Sequence, residues 1–148
     1  MKALTIWQPW ASLIMAGAKP WEWRGWAAPR SIVGQRIAIH AGARPVKLHE
    51  IADILEQIND NDSSLKADIA IPLLRGAHRI AWPLASVLGT AVLGPPVPAL
   101  EWAAQHLAPG FDSNLIDHHK FAWPLTSIER FEPPIPARGA QGLWDWHA

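Results

Sequence analysis

The chain has 148 residues, enough for one domain to bury its own core without disulfide or metal staples. Apolar residues make up 49% and charged residues 18%, which excludes a disordered chain, and the ten Trp stand beside no Tyr and no Cys. Without Cys there is neither a disulfide framework nor a thiolate zinc site, and the formal net charge of zero excludes a uniformly basic nucleic-acid binder.

That zero conceals a split, because residues 1–50 hold seven Lys/Arg against two acids, a net +5 that the remaining residues balance. One basic face on a neutral protein is the functional reading, and chance clustering of solvated charges is the bland one. Lys2 precedes an apolar run, and Ala16-Gly17-Ala18 has the small residues of a leader cleavage site. Gln8-Pro9 interrupts that run, so the chain reads as cytoplasmic, in keeping with its lack of Cys. No stretch approaches the length of a membrane span, and no membrane partner is expected.

In chain order, residues 3–7 read as a short strand, and Pro9 suits the first turn of a helix whose face carries Trp10, Leu13 and Ile14. Gly17 is placed to end that helix in a left-handed conformation, and Pro20 keeps it from resuming. Residues 21–24 continue as strand, and residues 36–40 alternate as a half-buried strand with Ile37 and Ile39 on one side and Arg36, Ala38 and His40 on the other. Leu48, Ile51, Leu55 and Ile58 predict a helix from about Pro45 that "NDNDSS" ends. Residues 65–86 read as mostly loop and short helix, 87–93 as strand, "PPVP" as an extended turn and 99–107 as a second short helix. Phe121, Trp123 and Leu125 alternate on a strand whose Pro124 suits an edge or a bulge, and "EPPIPARG" and "GLWDW" supply the last extended segments. No period repeats and no linker divides the chain, so the expectation is one α+β domain over 1–148. It would be a small, partly open β-barrel of about five to six strands with helices packed around it.

The stretch "GAKPWEWRGW" interleaves three Trp with Lys19, Glu22 and Arg24. If 20–24 is extended, Glu22 and Arg24 share one face about 6 to 7 Å apart while Trp21 and Trp23 share the other. Lys19, at an odd offset from Glu22, joins the charges only from the turn or across a bulge. Together with "LTIWQPWAS" before it, "GQRIAIHAG" after it and the closing "FAWPLTSIERFEPPIPARGAQGLW", this stretch resembles the ASCH domain, named for its homology to activating signal cointegrator 1. Gly17, Lys19, Glu22 and Arg24 fall on its G-x-K-x-x-E-x-R pattern, and residues of about 45–83 stand out as a helical insertion.

The resemblance implies a PUA-like fold with that motif bordering a cleft, and members have been assigned to RNA or DNA binding, to ribonuclease activity and to N4-acetylcytidine hydrolysis. Two functions therefore stand open. As a binder of single-stranded RNA or DNA, or of a modified nucleotide, the chain would use Gln8, Trp10, Lys19, Trp23, Arg24, Trp26, Arg36 and His40; Arg24, Arg30, Arg36 and Arg44 are the cations for phosphates, and Trp7, Trp10, Trp23 or Trp26 the rings for bases. As an amidohydrolase or ribonuclease it would use Lys19, Glu22 and Arg24 as catalytic groups. Here it departs from the acetylcytidine hydrolases, which carry a nucleophilic threonine where this chain has Glu22 and an acid in a later strand where "VLGTAVLG" has none. The bland reading of the three charges is an ion-pair network closing the barrel mouth, and that of most tryptophans is core filling. No cofactor is called for. His40, His118 and His119 lack the spacing of metal ligands, so no metal is expected either.

Overall fold

The structure, a computed structural model, describes residues 1–61, 63–76, 81–106 and 120–148. Strands β1 (Lys2–Ile6), β2 (Trp21–Arg24), β3 (Arg36–Ala41), β4 (Ser86–Leu93), β5 (Val97–Pro98), β6 (Phe121–Pro136) and β7 (Leu143–Asp145) form one seven-stranded sheet. Its order is β2-β6-β4-β3-β1-β7, with β5 paired to β6 off that path. Among the described residues only β1 and β3 run parallel; the other pairs are antiparallel. Helices α1 (Trp10–Met15), α2 (Leu48–Asn59), α3 (Ala67–Arg75) and α4 (Ala99–His106) complete the α+β architecture, a curled half-barrel with one more small strand than the five to six expected.

The curl has a local cause. Opposite Val87 and Gly89, β6 jumps from Ile135 to Arg130, and opposite Thr90 and Val92 it jumps from Glu129 to Thr126. Extra residues on one strand increase its twist and bend it. Pro133 and Pro134 fall inside the first bulge, where no ladder donor is required, and Ser127 takes a positive φ of 50° in the second. Of the two roles the sequence offers Pro124, an edge or a bulge, the edge does not hold, since β6 lies between other strands. Pro124 sits where β6 exchanges its β2 and β5 partners for β4: Trp21 is its register partner, and the Leu125 N–H donates to the Pro20 carbonyl at 2.9 Å. The missing N–H thus falls at a changeover.

Helix α1 ends as its sequence predicts. Gly17 has φ +84°, its N–H bonds the Ile14 carbonyl and that of Ala18 bonds the Leu13 carbonyl, a Schellman closure. The helix packs on β3, β4 and β6 and buries Ile14 and Met15 against Leu4, Ile6, Ile37, Ile39, Leu93, Trp123 and Leu125. A second cluster joins Leu13 and Ala18 to Ile51, Ile54, Ala70 and Leu74 of α2 and α3, the two helices that lie between β3 and β4. Residues 67–75, ambiguous in sequence because of Pro72, are helical; their apolar face is held by α2. Strand β3 is buried on both faces, not half-buried, because Ala38 packs under Ala3, Val87 and Trp146 on the side opposite α1. Among the described residues no helix is long and apolar enough to cross a membrane.

Among the described glycines, Gly89 leaves the least room for a side chain. A Cβ there would lie 2.1 Å from the Glu129 carbonyl oxygen and 3.0 Å from the Arg130 Cα, both backbone atoms that cannot turn aside. Gly89→Ala is expected to lower stability by roughly 2 to 3 kcal/mol, as overpacking does, read as a lower urea midpoint at unchanged slope.

Candidate functional site

The parallel register of β1 and β3 sets Thr5 beside His40, and the antiparallel register of β7 sets Trp144 beside Ala3 on the same face. Trp144 Nε1–H donates to Thr5 Oγ1 at 3.0 Å, and Thr5 Oγ1 lies 3.1 Å from His40 Nδ1. His40 Nε2 lies 2.8 Å from the Ala137 carbonyl, which only accepts, so the proton sits on Nε2 and Nδ1 accepts from the Thr5 hydroxyl. The chain of bonds is complete, and His40 is buried with neither nitrogen free. Ala137 is fixed from its other side by its own N–H, which donates to the Ala85 carbonyl at 2.9 Å.

These bonds form the floor of an open cavity of about 940 Å³. Arg24, Trp7 and Trp26 wall it, and the 136–142 connection between β6 and β7 supplies Arg138 and Gln141. Trp7 is 58% exposed and Trp26 41%, and Trp26 stands edge-on to the buried Trp123 at 4.7 Å between ring centres. The rest of the lining is largely small: Gly42, Ala43, Ala85, Gly139, Ala140 and Gly142. No carboxylate occurs among the described lining residues, so two guanidinium groups set the charge of the cleft.

Arg24 does more than line it. Ile6 O accepts from Gly42 on the β3 side, so the carbonyl of Thr5, one residue earlier, points to the opposite edge, beyond the last β7 partner at Leu4. Arg24 Nη2 donates to that carbonyl at 2.9 Å, which joins β2 at one end of the sheet path to β1 near the other.

The remaining charges of the motif lie elsewhere. Lys19 and Glu22 are both buried, Nζ 2.8 Å from Oε1, and Nζ also donates to the Trp21 carbonyl at 3.1 Å and sits 5.7 Å from the Trp10 ring centre. Glu22 Oε1 accepts the Trp23 N–H at 2.8 Å as well. This pair ties the turn after α1 to β2 and does not line the cavity. Trp10 is half-buried between the two larger core clusters, and Trp23 packs edge-on against Trp102 at 4.9 Å on the face of β2 opposite Glu22. Gln8 is buried as a bracket for α1: its Oε1 accepts the Ser12 N–H at 3.0 Å, while Nε2 donates to Ser12 Oγ and the Pro83 carbonyl. Arg36 donates to Thr90 Oγ1 and the Ser127 carbonyl across the second bulge.

Of the residues singled out from the sequence, Arg24, Trp26 and His40 therefore share one cleft. Gln8, Trp10, Lys19, Glu22, Trp23 and Arg36 are not part of its lining. Sequence reasoning gave Trp7 only as one of several possible stacking rings and passed over Thr5, Arg138, Gly139 and Gln141. The signal was "PARGAQG", a small-residue run holding one arginine, which alternation alone reads as an extended tail. His118 and His119 lie outside the described residues.

The class the fold and cleft define is a curled α+β half-barrel with a cleft opened beside its parallel strand pair, the architecture of the PUA-like ASCH domains that the family match identifies. The ASCH domain model matches residues 4–108, and the chain belongs to the ASCH domain family. It is similar to the crystal structure of ASCH from Zymomonas mobilis, with a TM-score of 0.56 at 18% identity over 99% of this chain and 87% of that one. A tyrosine-to-phenylalanine mutant of that protein gives 0.55 at 18% identity over 99% and 89%. A serine-to-alanine mutant gives 0.56 at 17% over 99% and 87%. At such identities the likeness concerns the fold alone. No curated protein matches the chain significantly in sequence.

Glu22→Gln strands the Lys19 ammonium in a buried site and is expected to cost about 3 kcal/mol, with Lys19→Met/Glu22→Leu costing less than the single change, both read by urea unfolding. A Cβ at Gly139 would come within 2.4 Å of His40 Cε1 and 2.9 Å of Thr5 Oγ1, so Gly139→Ala is expected to break the Thr5–His40 bond and cost about 1 to 3 kcal/mol. The His40 ring resonances in NMR spectra report that break directly.

Proposed function

We propose that the cleft binds single-stranded nucleic acid or a modified nucleotide drawn from one, with Trp7 and Trp26 meeting bases and Arg24 and Arg138 meeting phosphate. One observation carries the reading: two exposed tryptophans and two arginines line the same cavity, and no carboxylate among the described lining residues opposes them. Flat rings stack on any base, and guanidinium groups pair bidentately with phosphate oxygens. Membership of the ASCH family supports the same reading.

The hydrolase alternative asks Lys19 and Glu22 to reach a substrate. Their mutual ion pair and their burial away from the cleft weigh against it, since each already spends its polar contacts on the other and on the backbone of β2. Thr5 and His40, the polar groups on the cleft floor, are committed to Trp144 and Ala137.

Fluorescence polarisation with short labelled RNA and DNA strands over a range of KCl tests the proposal. Two phosphate contacts predict a slope of about −1.4 in log affinity against log salt, and Arg138→Ala, at an exposed position, should halve it to about −0.7. Trp7→Ala should weaken binding by about 1 to 3 kcal/mol with little change in slope. The proposal fails if neither strand binds, or if the wild type releases acetate from N4-acetylcytidine and Glu22→Gln, still folded, does not.

A further inference from the structure

Arg44 lies behind one wall of the cleft. Its guanidinium carbon stands 4.6 Å from the centre of the Trp7 ring, yet Arg44 does not line the cavity, whereas Trp7, Gly42 and Ala43 do. The guanidinium therefore covers the face of the indole turned away from the cleft. It is held there by two bonds to one carboxylate: Nη1 to Glu50 Oε1 at 3.1 Å and Nη2 to Glu50 Oε2 at 2.9 Å. A bidentate pairing fixes the plane of a guanidinium as well as its position.

Glu50 is itself fixed. It sits in the first turn of α2, and its Oε1 also accepts the Lys47 N–H at 3.0 Å, closing the start of the helix. The Arg44 bond, and after it the Lys47 N–H, hold the Glu50 carboxyl below the usual carboxylate range. The pair is thus fully ionised at neutral pH and is lost only as pH falls through that lowered value. The order of support runs from the α2 backbone to Glu50, from Glu50 to Arg44, and from Arg44 to the ring of Trp7.

From this contact we infer that Glu50 is a positioning residue for the ligand cleft: it holds the Arg44 guanidinium over the rear face of Trp7, so the indole is a rigid platform with its cleft face open to a nucleobase. The inference rests on the proposed nucleic-acid reading for the identity of the ligand, and on nothing but this geometry for the stack itself. It gives this guanidinium–aromatic pair a role that phosphate binding does not. Arg44's charge is already matched by Glu50, so the residue contributes orientation and not attraction for the strand.

The test has one arm without ligand and one with it. In the free protein the Arg44 δ and ε protons lie over an aromatic ring and should carry upfield ring-current shifts in NMR spectra. Those shifts should relax toward ordinary values in Glu50→Gln, and the Arg44 δ and ε carbons in Trp7→Phe should still report stacking. With short RNA or DNA strands, Glu50→Gln should bind about two- to fivefold more weakly at an unchanged salt slope, the worth of an exposed cation–π contact. Arg44→Lys, which keeps the charge but not the planar fork, should do the same, and melting curves establish that both variants remain folded. Ring-current shifts that persist in Glu50→Gln overturn the inference whether or not any strand binds. So does equal or tighter binding by that variant, and a slope steeper by about 0.7 would mean that Glu50 merely withholds Arg44 from phosphate. If the shifts relax but the wild type binds neither strand, the stack stands as described, while the nucleic-acid reading and the ligand half of the inference both fall.

Discussion

One hydrogen bond, from Arg24 Nη2 to the Thr5 carbonyl, ties together the two strands between which the cleft opens. Strands β2 and β1 are separated along the sheet by β6, β4 and β3, so nothing in the ladder itself brings them together. The two bulges of β6 supply the bend, and the short β7 leaves the outward carbonyl of Thr5 without a strand partner. A partly buried carbonyl without a ladder partner is met by a donor, here a guanidinium that reaches it from a strand outside the β1 ladder. The same contact carries a cation to the cavity wall, which makes closure and ligand chemistry two consequences of one side chain.

The charges of the motif thus divide by depth. Lys19 and Glu22 neutralise each other inside the turn after α1, where burial makes an unmatched charge costly. Arg24 carries its charge onward to open space. Such a division explains how a chain of net charge zero presents a cationic cleft: its positive groups there are unopposed by lining carboxylates, while many others are paired or bonded in place, such as Arg44 with Glu50, Lys2 with Asp145 and Arg36 with Thr90.

Ten tryptophans serve several ends within this frame. Trp123 is wholly buried and donates its Nε1–H to the Trp26 carbonyl at 3.0 Å, which fixes the backbone that carries an exposed ring. Trp144 orders the floor through Thr5, and Trp146 seals the outer face over Ala3 and Ala38. Trp21 and Trp23 pack on Trp102 of α4. Each ring combines large apolar area with one donor, so the same residue type fills core, orients loops and offers stacking faces.

Local pattern alone was sufficient for much of the frame. Period-two alternation gave β2 at its observed bounds and β3 to within a residue, Gly17 gave the end of α1, and the 3.6-residue spacing of Leu48, Ile51, Leu55 and Ile58 gave α2, although the helix begins at Leu48 and not at Pro45 and Leu48 itself is exposed. The motif gave the ASCH family, and the sorted faces of β2 gave Arg24 a different environment from Trp23. What the sequence could not express was distance between segments far apart in the chain. Thr5 meets His40 through a parallel register, Gly139 meets both through a connection more than a hundred residues from Thr5, and Trp7 meets Arg44 only because α2 brings Glu50 alongside. Nor could it tell that Glu22 is buried against Lys19 while Arg24, on the same face of β2, reaches the cleft, because alternation assigns a face and not a depth, which the packing of α1 and the curl of the sheet decide.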